Sequence, residues 1–223
     1  MTALAHRFEP APKACIAAVS NDLADLARIY ELEVNLCLIH RQPGEPLRRF
    51  VSELLRSLKD IEMAEDVRFE QFDFSSLLPS CQNISGHDAW WRDVARLTAA
   101  FCDLFETERV GLRLRTLDKP MCPRFHVDHV PCRLVCTYGG MGTQWLPDVH
   151  VDRTKLGPGS NGLPDEESGL ILDPSTISTM PAYAVGLMKG AKWEGHEERG
   201  LVHRSPRLTS AEPRRLLLTL DIL

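Results

Sequence analysis

Apolar positions along this chain follow two rhythms. In the first half they step by three and four, as one side of a helix requires. Leu47, Phe50, Val51, Leu54 and Leu58 form such a stripe, and Pro46 suits the first turn of a helix running to about Lys59. Trp90, Val94, Leu97, Phe101 and Leu104 form a longer one, behind a capping-box pattern at Ser85 and Asp88. A shorter helix carrying Leu23, Leu26, Ala27 and Tyr30 is expected after Ser20, which can cap it. The length and apolar density of Val34-Asn35-Leu36-Cys37-Leu38-Ile39, ended by Gln42-Pro43-Gly44, suit a buried strand, and the aromatic-rich segment 66–74 reads as another. Residues 1–19, interrupted by Pro10 and Pro12, read as an arm laid on the surface.

From Glu108 onward the rhythm shortens. Strands are expected at 109–117, 124–129, 133–138, 144–146, 182–188, 201–203 and 215–220, with Gly139-Gly140 as a tight turn. Short strands in series, separated by Gly- and Pro-bearing turns, predict an antiparallel sandwich or barrel, with the two helical stripes buttressing it. Residues 147–174, rich in Gly, Pro and Asp, exceed an ordinary connection and read as a functional lid or a disordered insertion. The expected architecture is one α+β, mainly β domain over 1–223, with an N-terminal α/β extension at 1–107 and a strand-rich core at 108–223.

Composition narrows the function more than the fold. A hydrophobic fraction of 43% is that of an ordinary globular protein, and a net charge of −5 argues against nucleic acid as a partner. The N-terminus lacks a basic start followed by an apolar run, and no stretch approaches the roughly 20 apolar residues of a membrane span, so a cytoplasmic location is expected. Seven cysteines without CxxC pairs fit a reducing compartment. Cys122, Cys132 and Cys136 lie near one another but lack the partner pair that would complete a tetrahedral zinc shell. A phosphate loop, a GxSxG elbow and an HExxH helix are all missing.

The chemistry converges on Pro123-Arg124-Phe125-His126-Val127-Asp128-His129-Val130-Pro131. Two apart on an extended strand, His126 and Asp128 project from one face. If His203 comes alongside, the three make the two-histidine, one-carboxylate set that holds a non-haem Fe(II) and leaves open positions. Arg214 and Arg215 head the apolar run 216–220, where a guanidinium could clamp a carboxylate bidentately, and iron with such a clamp suggests a 2-oxo acid. His129 falls on the opposite face from His126. His150-Val151-Asp152 repeats the His-x-Asp spacing inside the long segment and could close over the site, while His196, among glutamates, reads as solvent-facing.

The order His-x-Asp, short strands, distal His and following Arg resembles the double-stranded β-helix of the Fe(II)- and 2-oxoglutarate-dependent dioxygenases over roughly 108–223. Phe125-His126-Val127-Asp128, the stretch from Cys136 to Leu146, Val202-His203-Arg204-Ser205-Pro206 and the stretch from Arg214 to Asp221 resemble, across most of the chain, the bacterial family catalogued as domain of unknown function 1826, which brings no established activity. The resemblance implies a jelly-roll, cupin-like barrel with an N-terminal helical extension. It implies Fe(II) on His126, Asp128 and His203 as the catalytic centre, 2-oxoglutarate as co-substrate, and hydroxylation of an unidentified small-molecule or protein substrate. Arg215 is preferred to Arg214 as the clamp, because Arg215, Leu217 and Thr219 share the face that would line the barrel. Tyr138 and Trp145 are candidate pocket walls. The family's association with zinc-homeostasis genes keeps a rival in view, a cupin-like metal or small-molecule binding protein without oxygenase activity. A third reading keeps the barrel as an interaction module without chemistry.

Overall fold

The computed structural model describes residues 14–57 and 59–223; the start of the expected arm, with Pro10 and Pro12, and Leu58 of the first apolar stripe lie outside them. The elements in chain order are β1 (Ile16–Ser20), β2 (Val34–Ile39), α1 (Glu45–Arg56), β3 (Glu62–Arg68), α2 (His87–Leu104), β4 (Arg109–Leu117), β5 (Cys132–Gly139), β6 (Gln144–Trp145), β7 (Ser178–Thr179), β8 (Val185–Lys189), β9 (His203–Arg204) and β10 (Arg215–Ile222). Seven strands form one sheet in the order β1-β2-β8-β5-β10-β4-β3, and β7-β6-β9 form a second, smaller one. The large sheet is antiparallel except for the β1–β2 pair. It draws strands from both halves of the chain, since β2 pairs with β8 and β3 pairs with β4.

Strand alternation sorts the side chains between two layers. Cys132, Leu134, Cys136 and Tyr138 on β5, with Leu216, Leu218 and Leu220 on β10, join the main core beneath α1 and α2. The apolar stripes of the helices meet them: Leu47, Phe50, Val51 and Leu54 from α1, and Trp90, Val94, Leu97 and Phe101 from α2, are buried. Phe50 and Trp90 stack with ring centroids 5.1 Å apart. Each such side chain removed from water contributes about 1.5–3 kcal/mol. On the other face of the sheet, Leu36, Leu38, Val135 and Met188 pack against Met180 and Leu201, with Trp145 at the margin, so the small sheet covers the large one.

Several expectations are corrected. Residues 16–20 are a strand added to the sheet edge rather than a surface arm, because Ile16–Ser20 finds a parallel partner in β2. The helix after Ser20 is a 3-10 helix, Leu23–Tyr30, capped by Asp22; Ser20 ends β1 and its hydroxyl bonds Asp25. Ser85 does not cap α2. Gly86 precedes it with φ +86, and a Cβ there would lie 2.0 Å from the Pro46 carbonyl oxygen, so the close approach of α1 leaves no room for a capping side chain. The strand expected at 66–74 starts earlier, at Glu62, and gives way to 3-10 turns at Phe69–Gln71 and Phe74–Ser76. Residues 147–174 are an ordered run of 3-10 turns rather than a disordered insertion. Val151 and Leu170 are buried against Phe125, Leu146 and Val202, and the half-buried Leu156 and Ile171 pack beside them. No helix among the described residues is long and apolar enough to cross a membrane.

Candidate metal centre

Residues 124–129 do not form the expected strand. They make a single bridge, in which the His126 and His203 backbones exchange both N–H···O bonds at 3.0 Å. On β9 and its lead-in, period 2 sends Leu201 and His203 toward the large sheet and Val202 and Arg204 toward the long segment. The bridge therefore sets His126 beside His203, and Asp128 follows on the same face. One ligand atom from each of these three residues lies within 4.8 Å of the others.

Asp128 is held from behind. Its carbonyl accepts from Ala191 N at 2.8 Å, and Pro131 O accepts from Gly190 N at 2.9 Å. A Cβ on Gly190 would stand 2.2 Å from Val130 O and 2.6 Å from Asp128 O, so only glycine lets this turn approach so closely. The approach fixes where the carboxylate begins.

The imidazoles are already oriented. His126 Nδ1 lies 2.9 Å from Arg124 O and His203 Nδ1 lies 3.1 Å from Leu201 O. A carbonyl can only accept, so each Nδ1 carries a proton and each Nε2 is the nitrogen turned to the site. His126 Nε2 is 3.4 Å from Asp128 Oδ1, and His203 Nε2 is 3.3 Å from Oδ2. Burial works against a proton on His126, but the Asp128 carboxylate and the Arg124 carbonyl outweigh it and raise its pKa. Burial likewise opposes charge on Asp128, yet the hydrogen bonds of both histidines and the charge of Arg133 hold its carboxyl far below the usual range. The site is thus a carboxylate between two Nε2 atoms, which a divalent cation can occupy in place of the protons.

Arg133, on the cavity face of β5, is a site residue that the sequence reading missed. Its Nη1 meets Asp128 Oδ2 at 2.9 Å, while Nε and Nη2 grip Asp221 at 2.6 and 2.9 Å. The alternation Arg133, Val135, Thr137 carried a signal for it. Asp165 was also missed, and its contacts, 40 residues away, left none. Only 4% exposed, it accepts from Phe125 N at 2.7 Å and meets Arg204 at 3.3 Å and Arg124 at 3.5 Å, binding the long segment to the ligand-bearing backbone.

Arg215 is 1% exposed and lines the same small cavity, of about 60 Å³, as His126, Asp128 and His203. Its Nη2 donates to Thr137 Oγ1 at 3.1 Å and Thr143 Oγ1 at 3.2 Å, but Nε and Nη1 have no partner among the described residues. Burial without a carboxylate pushes its pKa down to about 10. Arg214 points away, to Lys59 O at 2.9 Å and Asp60 Oδ1 at 2.7 Å.

The remaining residues lie elsewhere. Tyr138 is corrected as a pocket wall: it is buried on the helical face of β5, donating to Asp93 Oδ2 at 2.8 Å. Trp145 packs between the sheets but does not line the cavity. His129 is exposed outside the cluster, and Asp152 caps the turn Arg153–Lys155 rather than joining His150 at the site. His196 is 3% exposed, not solvent-facing, and burial lowers its pKa. A larger cleft of about 840 Å³ opens near His40 and Arg41, but there Arg41 is already paired with both oxygens of Asp93, at 2.7 and 3.1 Å.

A family model described as a protein of unknown function (DUF1826) matches residues 20–221. No curated protein matches the sequence. Among solved structures, a dioxygenase for auxin oxidation from rice superposes with a TM-score of 0.50 at 9% identity, over 94% of this chain and 83% of that one. The dioxygenase for auxin oxidation 1 from Arabidopsis thaliana, solved with 2-oxoglutarate, gives 0.48 at 7% identity over 94% and 92%. A prolyl-4-hydroxylase from Pseudomonas putida gives 0.44 at 11% identity over 89% and 96%. The chain is similar in fold to the rice enzyme.

Proposed function

We propose that this chain, which belongs to the DUF1826 family, is an Fe(II)- and 2-oxoglutarate-dependent oxygenase built on a double-stranded β-helix. His126, Asp128 and His203 would hold the metal, and Arg215 would hold the far carboxylate of the co-substrate. The observation that carries the proposal is the buried, carboxylate-free guanidinium of Arg215 in the cavity of the triad. A fully buried cation left without a counter-charge costs several kcal/mol unless something binds it. A dicarboxylate reaching from the metal to Arg215 supplies that partner.

The donor set fits the ion: two imidazoles with Nε2 turned inward and one carboxylate leave further positions open, unlike a closed four-ligand zinc shell. Bound there, Fe(II) with 2-oxoglutarate supplies the oxidising chemistry of a hydroxylase. The chain supplies the placement. Arg133 holds one oxygen of Asp128, Arg124 O and Leu201 O hold the imidazole tautomers, and Thr137 and Thr143 aim Arg215 into the cavity. Leu217 and Val135 line the wall and limit water there.

Anaerobically purified protein reconstituted with Fe(II) should convert 2-oxoglutarate to succinate when oxygen is admitted, slowly in the absence of a second substrate. His126→Ala and Asp128→Ala should each lose the metal while keeping the far-ultraviolet spectrum of the fold. Stoichiometric zinc with no turnover of 2-oxoglutarate would overturn the proposal in favour of a metal-binding protein.

A further inference from the structure

Beside the triad a second pocket, of about 180 Å³, is lined by Arg113, Arg115, Met121, Arg133, Leu217 and Thr219. It shares Met121, Arg133, Leu217 and Thr219 with the metal cavity, so it forms the rim of that site. Strand alternation explains the arginines: on β4, Val110, Leu112 and Leu114 belong to the helical core, which turns Arg113 and Arg115 to the opposite face beside Arg133 of β5.

The positive charges there exceed their partners. Asp221, 6% exposed at its side chain, is shared by Arg113 and Arg133. Glu62 meets Arg115 at 3.1 Å but is 78% exposed, where water and salt screen it. Arg133's other partner, Asp128, belongs to the triad, where a dication would offset its charge. Arg115 Nε is buried without a partner among the described residues. Three guanidiniums therefore face one buried carboxylate, in a concave site whose remaining walls are Met121, Leu217 and Thr219.

We infer that this rim pocket binds the carboxylate or phosphate group of a small organic anion, which is the substrate class of the proposed oxygenase. The inference rests on that reading of the triad. Guanidinium forks match carboxylate and phosphate oxygens, and the uncompensated charge draws an anion toward the metal. Met121 and Leu217 accept a short hydrocarbon stem. A cationic substrate meets repulsion there.

The test is anaerobic calorimetry on the whole protein loaded with Mn(II) and 2-oxoglutarate, titrated with hexanoate, hexyl phosphate and hexanol. An anionic probe should bind at least about tenfold more tightly than hexanol, and Arg115→Gln should weaken it about tenfold, as loss of a charge-assisted contact does. The 2-oxoglutarate affinity should change less than about threefold, since a residue outside its seat has little effect on it. Arg113→Gln, at a more exposed position, repeats the test if Arg115→Gln does not fold. Anions binding no better than hexanol would overturn the inference. So would an equal loss of 2-oxoglutarate in Arg115→Gln, which would make the cluster the co-substrate's seat. If 2-oxoglutarate fails to bind at all while hexanoate still binds through Arg115, the anion pocket stands and the oxygenase reading falls.

Discussion

Arg215 is the residue at which stability and ligand binding pull in opposite directions. Replacing it with Met removes a buried charge that lacks a carboxylate and fills similar volume, so the ligand-free protein should gain about 1–2 kcal/mol in denaturant titration. In the presence of Mn(II), 2-oxoglutarate should raise the Tm of the parent protein and leave that of this variant unchanged. Arg215→Lys should weaken the co-substrate more than the metal, and Arg214→Lys should leave both unchanged. The triad adds a pH signature. His126 has a raised pKa in the metal-free fold, so its contribution is complete below its unfolded value, about 6.5, and is lost as pH rises through the higher folded value. Asp128 has a depressed one, so its contribution is present above about pH 4 and is lost as pH falls further. Metal-free protein should therefore lose Tm as pH rises from about 6.5 through the raised folded value of His126. His126→Gln should abolish that fall, and saturating Mn(II) should remove it, because the ion replaces the proton.

At the scale of elements, the long segment 147–174 is bound to the ligand-bearing backbone by the buried Asp165, with Glu166 on Arg204 and Ser160 on Arg124 beside it. Asp165→Asn leaves Arg204 and Arg124 without that charge and should cost about 3 kcal/mol. Hydrogen exchange should quicken over 147–174 and at Phe125 before the large sheet responds. Gly190→Ala should keep the fold but weaken Mn(II), because the added methyl displaces Asp128 through its carbonyl; unchanged metal affinity would show that the carboxylate position does not depend on that turn. These elements also show what the sequence could reveal. The limits of β2 and β4 and the facing of β10 followed from local pattern, since Val34–Ile39 is apolar except for Asn35 and Arg215, Leu217 and Thr219 alternate with core leucines. The elements that were misread depend on distant partners. The 124–129 segment has one bridge because its neighbour is the two-residue β9, and β1 is a strand only because β2 lies beside it. His126 and Asp128 could be paired in advance because His-x-Asp has a fixed facing in extended chain, and the family resemblance added His203. Asp165 could not be named, since its value lies in contacts that only folding creates, and the one signal for Arg133 was its alternation with Val135 and Thr137.

At the scale of the whole molecule, the large sheet joins the two halves of the chain. Removing 1–107 would strip β3 from β4 and β2 from β8 and expose the core leucines of β10. The segment 108–223 alone should therefore be insoluble or lack a cooperative transition, and near- and far-ultraviolet unfolding curves of the whole protein should coincide. A stable, cooperative fragment would show that the first half is dispensable. The His126–His203 bridge carries a last consequence, for the order of events. Its two strands meet only after the intervening chain has wrapped back, so in a nascent polypeptide the imidazoles are far apart and offer a cation no grip. Loading must come last. Refolding from urea should then run at the same rate with or without added Mn(II), and a chelator should strip the ion without slowing the chain's return to shape.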